Sequence, residues 1–98
     1  MGKYVLAYTG GSMPESEEEQ KSVMDAWGAW FGRLGDSVVD MGNPFGAQAA
    51  VGGGSTSGLT GYSIVSAASL DDALAKAKTC PILNGGSGGV EVYETLEM

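Results

Sequence analysis

Residues 3–9 read KYVLAYT, and the fold turns on this short run being apolar on both of its faces. β-Formers dominate it and Gly10-Gly11 closes it, which predicts a strand. Successive side chains of a strand alternate, so Tyr4, Leu6 and Tyr8 point one way and Val5, Ala7 and Thr9 the other. Lys3 is its only charge. A strand with no polar face belongs in the middle of a sheet, covered on both sides.

Outward from this strand the chain alternates between periods. Ser12 stands three residues before Glu15, a capping-box spacing, with Pro14 in the first turn. Glu15, Glu17, Glu18 and Glu19 then crowd a helix start, where the macrodipole favours negative charge. Val23, Trp27, Trp30, Phe31 and Leu34 follow as one apolar stripe at helical period, and Gly35 is placed to cap the end. Gly28 and Gly32 inside this helix predict a close neighbour on its backbone, since each costs up to about 1 kcal/mol against Ala. Residues 36–41 (DSVVDM) read as a second strand, Asn43-Pro44 as a turn, and 47–51 as a continuation of the strand. The run 52–58 is a glycine-rich connection without the lysine of a phosphate-binding loop.

Residues 61–67 (GYSIVSA) form the third strand in this reading. Ser69 caps a second helix with Asp71 and Asp72 in its first turn, and Leu70, Leu74 and Ala77 as its inner stripe. Pro81 ends it, GGSGG at 85–89 is a loop, and 90–96 (VEVYETL) make a last strand with an edge-like pattern of glutamates. The order β-α-β-β-α-β predicts a single α+β domain over residues 1–98: a ferredoxin-like, antiparallel four-stranded sheet with two helices on one face. No third helix remains for the opposite face. An uncovered apolar sheet face marks an interaction surface, and the economical occupant is a second copy of the chain, sheets face to face.

Five basic against twelve acidic residues give a net charge of −7. Nucleic acid and anionic membrane surfaces, which demand clustered Lys and Arg, are excluded as expected partners. The only cysteine, Cys80, forms no intrachain disulfide. The N-terminal run is too short for a signal peptide and no stretch approaches a membrane span, so a cytoplasmic location is expected.

The chain resembles the YCII-related domain, a family of small proteins that form dimeric α+β barrels. The resemblance runs essentially end to end. It is carried by KYVLAY (3–8), MPES (13–16), AWGAWFGRLGDSVVD (26–40), GNPFG (42–46), GLTGYSIV (58–65), SLDDALAKAKTCPIL (69–83) and GGVEVYE (88–94). It implies a homodimer with a pocket between the sheets. In relatives a histidine near the end of the first strand and an acidic residue after the second are suspected of acting as a catalytic pair there. This chain has no histidine; Thr9 stands at the strand end beside Tyr8, and Asp40 matches the acidic position.

With no histidine the usual neutral-pH proton shuttle is missing, as are nucleophile–histidine pairs and Cys/His zinc sites. No metal or cofactor is expected. Asp40 is the candidate acid or base, or else an exposed aspartate holding the turn. Tyr8, Thr9 and Asn43 are the candidate ligand-binding residues. Trp27, Trp30 and Phe31 resemble an aromatic box, but their helical spacing reads first as core. Two functions remain open. One is small-molecule binding between paired sheets, with or without weak acid/base catalysis, in a cavity drawing on Tyr4, Tyr8, Tyr62 or Tyr93. The other is a non-catalytic dimerisation module whose interior is filled.

Overall fold

The computed structural model describes residues 2–10, 15–54, 56–84 and 86–96. Strand β1 (Gly2–Gly10), helix α1 (Glu17–Leu34), strands β2 (Val38–Asp40) and β3 (Leu59–Ala67), helix α2 (Leu70–Ala77) and strand β4 (Gly88–Glu94) follow in that order. Single 3-10 turns lie at Gly35–Ser37 and Pro81–Leu83. The strands form one antiparallel sheet in the order β2-β3-β1-β4. This is an α+β architecture compatible with a ferredoxin-like arrangement, with β1 central and β4 at an edge.

Local chemistry explains the boundaries. Ser16, in an extended conformation, caps α1 by accepting a hydrogen bond from the Glu19 N–H at 3.1 Å. The helix thus starts a turn later than the Ser12–Glu15 spacing predicts; Ser12 and Pro14 lie outside the described residues. Glu17, Glu18 and Glu19 occupy the first turn and Arg33 the last, matching the macrodipole, and Gly35 caps the C-terminus with its N–H on the Phe31 carbonyl. Ser69 caps α2 on the Asp72 N–H at 3.2 Å, and Asp72 pairs one turn on with Lys76 at 2.9 Å. Strand β2 is only three residues long, and 47–51 do not continue it. Pro44 makes a single bridge to Gly61 and has no N–H to extend the ladder.

The register assigns faces. Tyr4↔Val65, Leu6↔Ser63 and Tyr8↔Gly61 are cross-strand pairs on the helix side. With Trp30, Ala67, Ala73, Ala77 and Cys80, their larger members make the core. Val5↔Ile64 and Ala7↔Tyr62 occupy the other face, which no helix among the described residues covers and where Tyr93 is 52 % exposed.

The two helices approach the sheet differently. Ala73 and Ala77 are the buried residues of α2, while Leu70 and Leu74 are 43 % and 38 % exposed. The expected inner stripe is therefore rotated by about one residue, onto alanines small enough to seat the helix against β3 and β4. Helix α1 instead stands off on aromatic side chains. Trp30 is fully buried and donates its indole N–H to Thr79 Oγ1 at 2.8 Å, and Thr79 in turn donates to the Lys76 carbonyl at 2.8 Å. This chain of bonds ties α1 to the end of α2.

Gly28 and Gly32 have no close neighbour: a methyl group at either would meet nothing within 4 Å. The predicted close approach is absent among the described residues. Gly28→Ala and Gly32→Ala are each expected to stabilise the chain by about 0.5–1 kcal/mol in urea unfolding, because Ala loses less backbone entropy on entering a helix. Destabilisation by either would show that something does pack there. Trp30→Ala is expected to cost about 3–5 kcal/mol in the same assay, and Trp27→Ala, half-buried, distinctly less.

Candidate functional site

The stand-off of α1 leaves a cleft of ≈ 430 Å³ between this helix and the sheet, within the range of small-molecule sites. Val23, Trp27 and Phe31 recur every four residues along α1 and so present one wall, joined by Met24. Trp30, offset around the helix, is turned under into the core. The expected aromatic core therefore divides: Trp30 seals, while Trp27 and Phe31 pack on the core and also line the cleft. Trp27 meets the Tyr8 ring edge-on at 5.1 Å and 79°. The far wall is residues 41–44, and Ile82 of the second 3-10 turn closes one end.

Two glycines make this wall possible. Gly42 has φ +77°, and a Cβ there would run into the Tyr62 carbonyl. The Asp40 carboxylate holds this turn by accepting the Gly42 N–H at 2.8 Å. Gly61 lets segment 43–44 cross β3 closely: a Cβ would stand 3.2 Å from the Asn43 carbonyl oxygen and 3.5 Å from the Tyr8 ring. Hydrogen bonds from Phe45 N–H to the Thr60 carbonyl and from Tyr62 N–H to the Asn43 carbonyl fix the crossing.

The polar part of the floor is one chain of hydroxyls. Tyr8 Oη lies 2.7 Å from Ser63 Oγ, and Ser63 Oγ 2.7 Å from the Met41 carbonyl oxygen. A carbonyl only accepts, so Ser63 gives its proton to Met41 and Tyr8 gives its proton to Ser63. Burial raises the Tyr8 phenol well above its ordinary value, so it stays protonated at neutral pH. Beside it, Cys80 is 1 % exposed, and burial pushes its thiol up to about 11. That keeps it in the unreactive thiol form.

The predicted site residues separate onto two faces. Tyr8 and Asn43 both line the cleft. Thr9, next to Tyr8 along β1, points from the opposite side of the sheet, and Asp40 turns there too, accepting from Tyr62 Oη at 3.4 Å. The four tyrosines likewise divide, since Tyr4 and Tyr8 face the helices while Tyr62 and Tyr93 face away. Asp40 is exposed, bonded to its own turn. Ser63, Met41 and Ile82 escaped the sequence reading. The period-2 pattern of β3, Gly61-Ser63-Val65-Ala67, identifies Ser63 once its register against Tyr8 and Leu6 is known. Among the described residues no group of three His, Cys, Asp or Glu side chains is placed to hold a metal ion. No helix among them is long and apolar enough to cross a membrane.

The raised thiol sets a pH dependence. The unfolded chain releases the Cys80 proton near the ordinary 9.0, the folded chain only near 11. Between these values the folded state binds more protons, so stability falls as pH rises. Urea midpoints are expected to hold from pH 7 to about 8.5 and then decline through pH 9–11, with Tyr8 adding in the same direction at higher pH. Cys80→Ala should flatten the first part of that decline; an unchanged slope would show that the thiol is not shielded.

Compared with protein-family models, with curated proteins and with solved structures, the chain finds no match.

Proposed function

We propose that this chain is a small-molecule-binding protein whose ligand lies within each protomer, in the cleft between α1 and the sheet, rather than between paired sheets. The observation that carries this reading is the cleft itself: aromatic and aliphatic walls from Trp27, Phe31, Val23 and Met41 with polar residues Tyr8, Asn43 and Thr60 among its lining, and Ser63 buried behind Tyr8. That mixture is the usual make-up of a ligand site. The floor suits binding better than proton transfer, for Tyr8, and Cys80 buried behind it, are both held protonated by burial. The resemblance to the YCII-related domain supports the architecture and leaves the ligand open.

The open sheet face favours self-association as a second property. Val5, Ile64 and Tyr93 lie on it without a covering helix. Lys3 stands at one end of this face, with Glu91 towards the other and Asp40 on the β2 edge level with Val5. A twofold partner brings the lysine of each copy near an acid of its mate, so the face fits a second copy of this chain. Pairing there would leave the cleft open on the outside of the dimer.

The test uses N-phenyl-1-naphthylamine, a neutral apolar fluorophore. It is expected to bind with micromolar affinity, Val23→Phe to abolish binding by filling the cleft, and Val5→Lys to leave it intact. Binding lost with Val5→Lys and kept with Val23→Phe would move the site to the sheet face. In sedimentation the unaltered chain is expected as a dimer at micromolar concentration and Val5→Lys as a monomer; a monomeric unaltered chain would rule out the paired sheets.

A further inference from the structure

The mouth of the cleft also gathers the exposed sulfur of the described residues. Of the chain's five methionines, Met24 and Met41 are described, and both line the cleft. They stand on opposite walls. Met24 lies on α1, three residues before Trp27 and seven before Phe31, and so on their side of the helix. Met41 opens the segment 41–44, where the hydrogen bond from Ser63 to its carbonyl fixes its backbone. Both border an apolar space, yet they are 66 % and 61 % exposed. Each side chain is therefore shared between the cleft and the solvent at its mouth. The remaining described sulfur, Cys80, is 1 % exposed and held as a thiol. An oxidant dissolved in water reaches the two thioethers and not the thiol.

We propose that Met24 and Met41 are modification sites for a peroxide, and that their oxidation weakens ligand binding in the cleft. A sulfur lone pair takes one oxygen of hydrogen peroxide. The S–O bond forms as the O–O bond breaks, and the second oxygen leaves as water with both protons. Each sulfur is oxidised by two electrons and the peroxide is reduced by the same two. As thioethers the side chains are soft and apolar and adapt to the shape of a ligand. As sulfoxides they carry a polar oxygen, which an apolar ligand must strip of water or else lose that wall. This control rests on the cleft being the ligand site, and adds the regulation of that same site.

The chain is treated with hydrogen peroxide and the excess removed with catalase. N-phenyl-1-naphthylamine is titrated before and after, and peptide mass spectrometry locates the added oxygen. Met24 and Met41 are each expected to gain one oxygen and Cys80 none, and the affinity to fall about tenfold. The urea midpoint should hold, because both side chains are already largely in water. The Met24→Leu, Met41→Leu double variant keeps apolar volume without sulfur. It should bind the probe as the untreated chain does and keep that affinity through peroxide. Each single variant should lose less than the unaltered chain, which preserves the comparison if the double variant fails to fold. Methionine sulfoxide reductases should restore binding to the oxidised chain. Oxidation at both positions with unchanged affinity would overturn the proposal and leave the cleft standing as a ligand site. So would Met24 and Met41 that take up no oxygen, a double variant that loses affinity as the unaltered chain does, or a loss of binding matched by a fallen urea midpoint. A chain that fails to bind the probe before treatment would remove the cleft as a ligand site, and its control with it.

Discussion

The unequal distance of the two helices from one sheet is the constraint on which the rest of this molecule depends. A helix approaches a sheet as closely as its contacting side chains allow. Helix α2 makes contact through Ala73 and Ala77, both buried, and lies close. Helix α1 makes contact through tryptophans and a phenylalanine and is held away. Close packing normally fills such a gap. Here Trp30 fills one end of it, and Trp27 and Phe31 leave the remainder as a cleft. The cavity is thus a consequence of residue size on two helices.

A gap of this kind survives only if its edges are fastened. On one side the Trp30 indole is bonded to Thr79, at the end of α2, and Thr79 to the backbone of that helix. On the other side Asp40 and Gly42 shape the turn that carries residues 41–44 across β3, and Gly61 lets it lie flat. Between them the Tyr8–Ser63–Met41 chain joins the two central strands to that same turn. The polar groups of the floor are therefore structural elements, joining sheet and turn. Among the described residues no buried side-chain nitrogen or oxygen lacks a partner.

Much of the architecture was legible in the residues. The apolar run 3–9 announces a central strand, the two glutamates of β4 an edge, and Ser69 and Gly35 are caps where the chain places caps. Helix phase was harder to read. Leu70 and Leu74 outweigh Ala73 in hydrophobicity, yet the sheet accepts the alanines because they permit the closer approach. Glycine was ambiguous in the same way: Gly28 and Gly32 suggest contact and have none, whereas Gly42 and Gly61 are demanded by backbone conformation and crossing. The candidate site was half visible. Tyr8 and Asn43 share the cleft, while Thr9 is carried to the opposite face by alternation along β1 and Asp40 by the register shift between Val38 and Asp40. Ser63 stayed hidden because a lone serine in a strand carries no signal until its cross-strand partner is known.

The division of labour between the two tryptophans is the most direct expression of this account. With both labelled as 5-fluorotryptophan, fluorine NMR reports them as separate resonances, assigned by Trp27→Phe. Addition of a neutral aromatic ligand should shift the Trp27 signal strongly and leave Trp30 nearly in place, since Trp27 borders the cleft and Trp30 is sealed behind it. Equal shifts of both signals, or a shift of Trp30 alone, would contradict a cleft held open by α1.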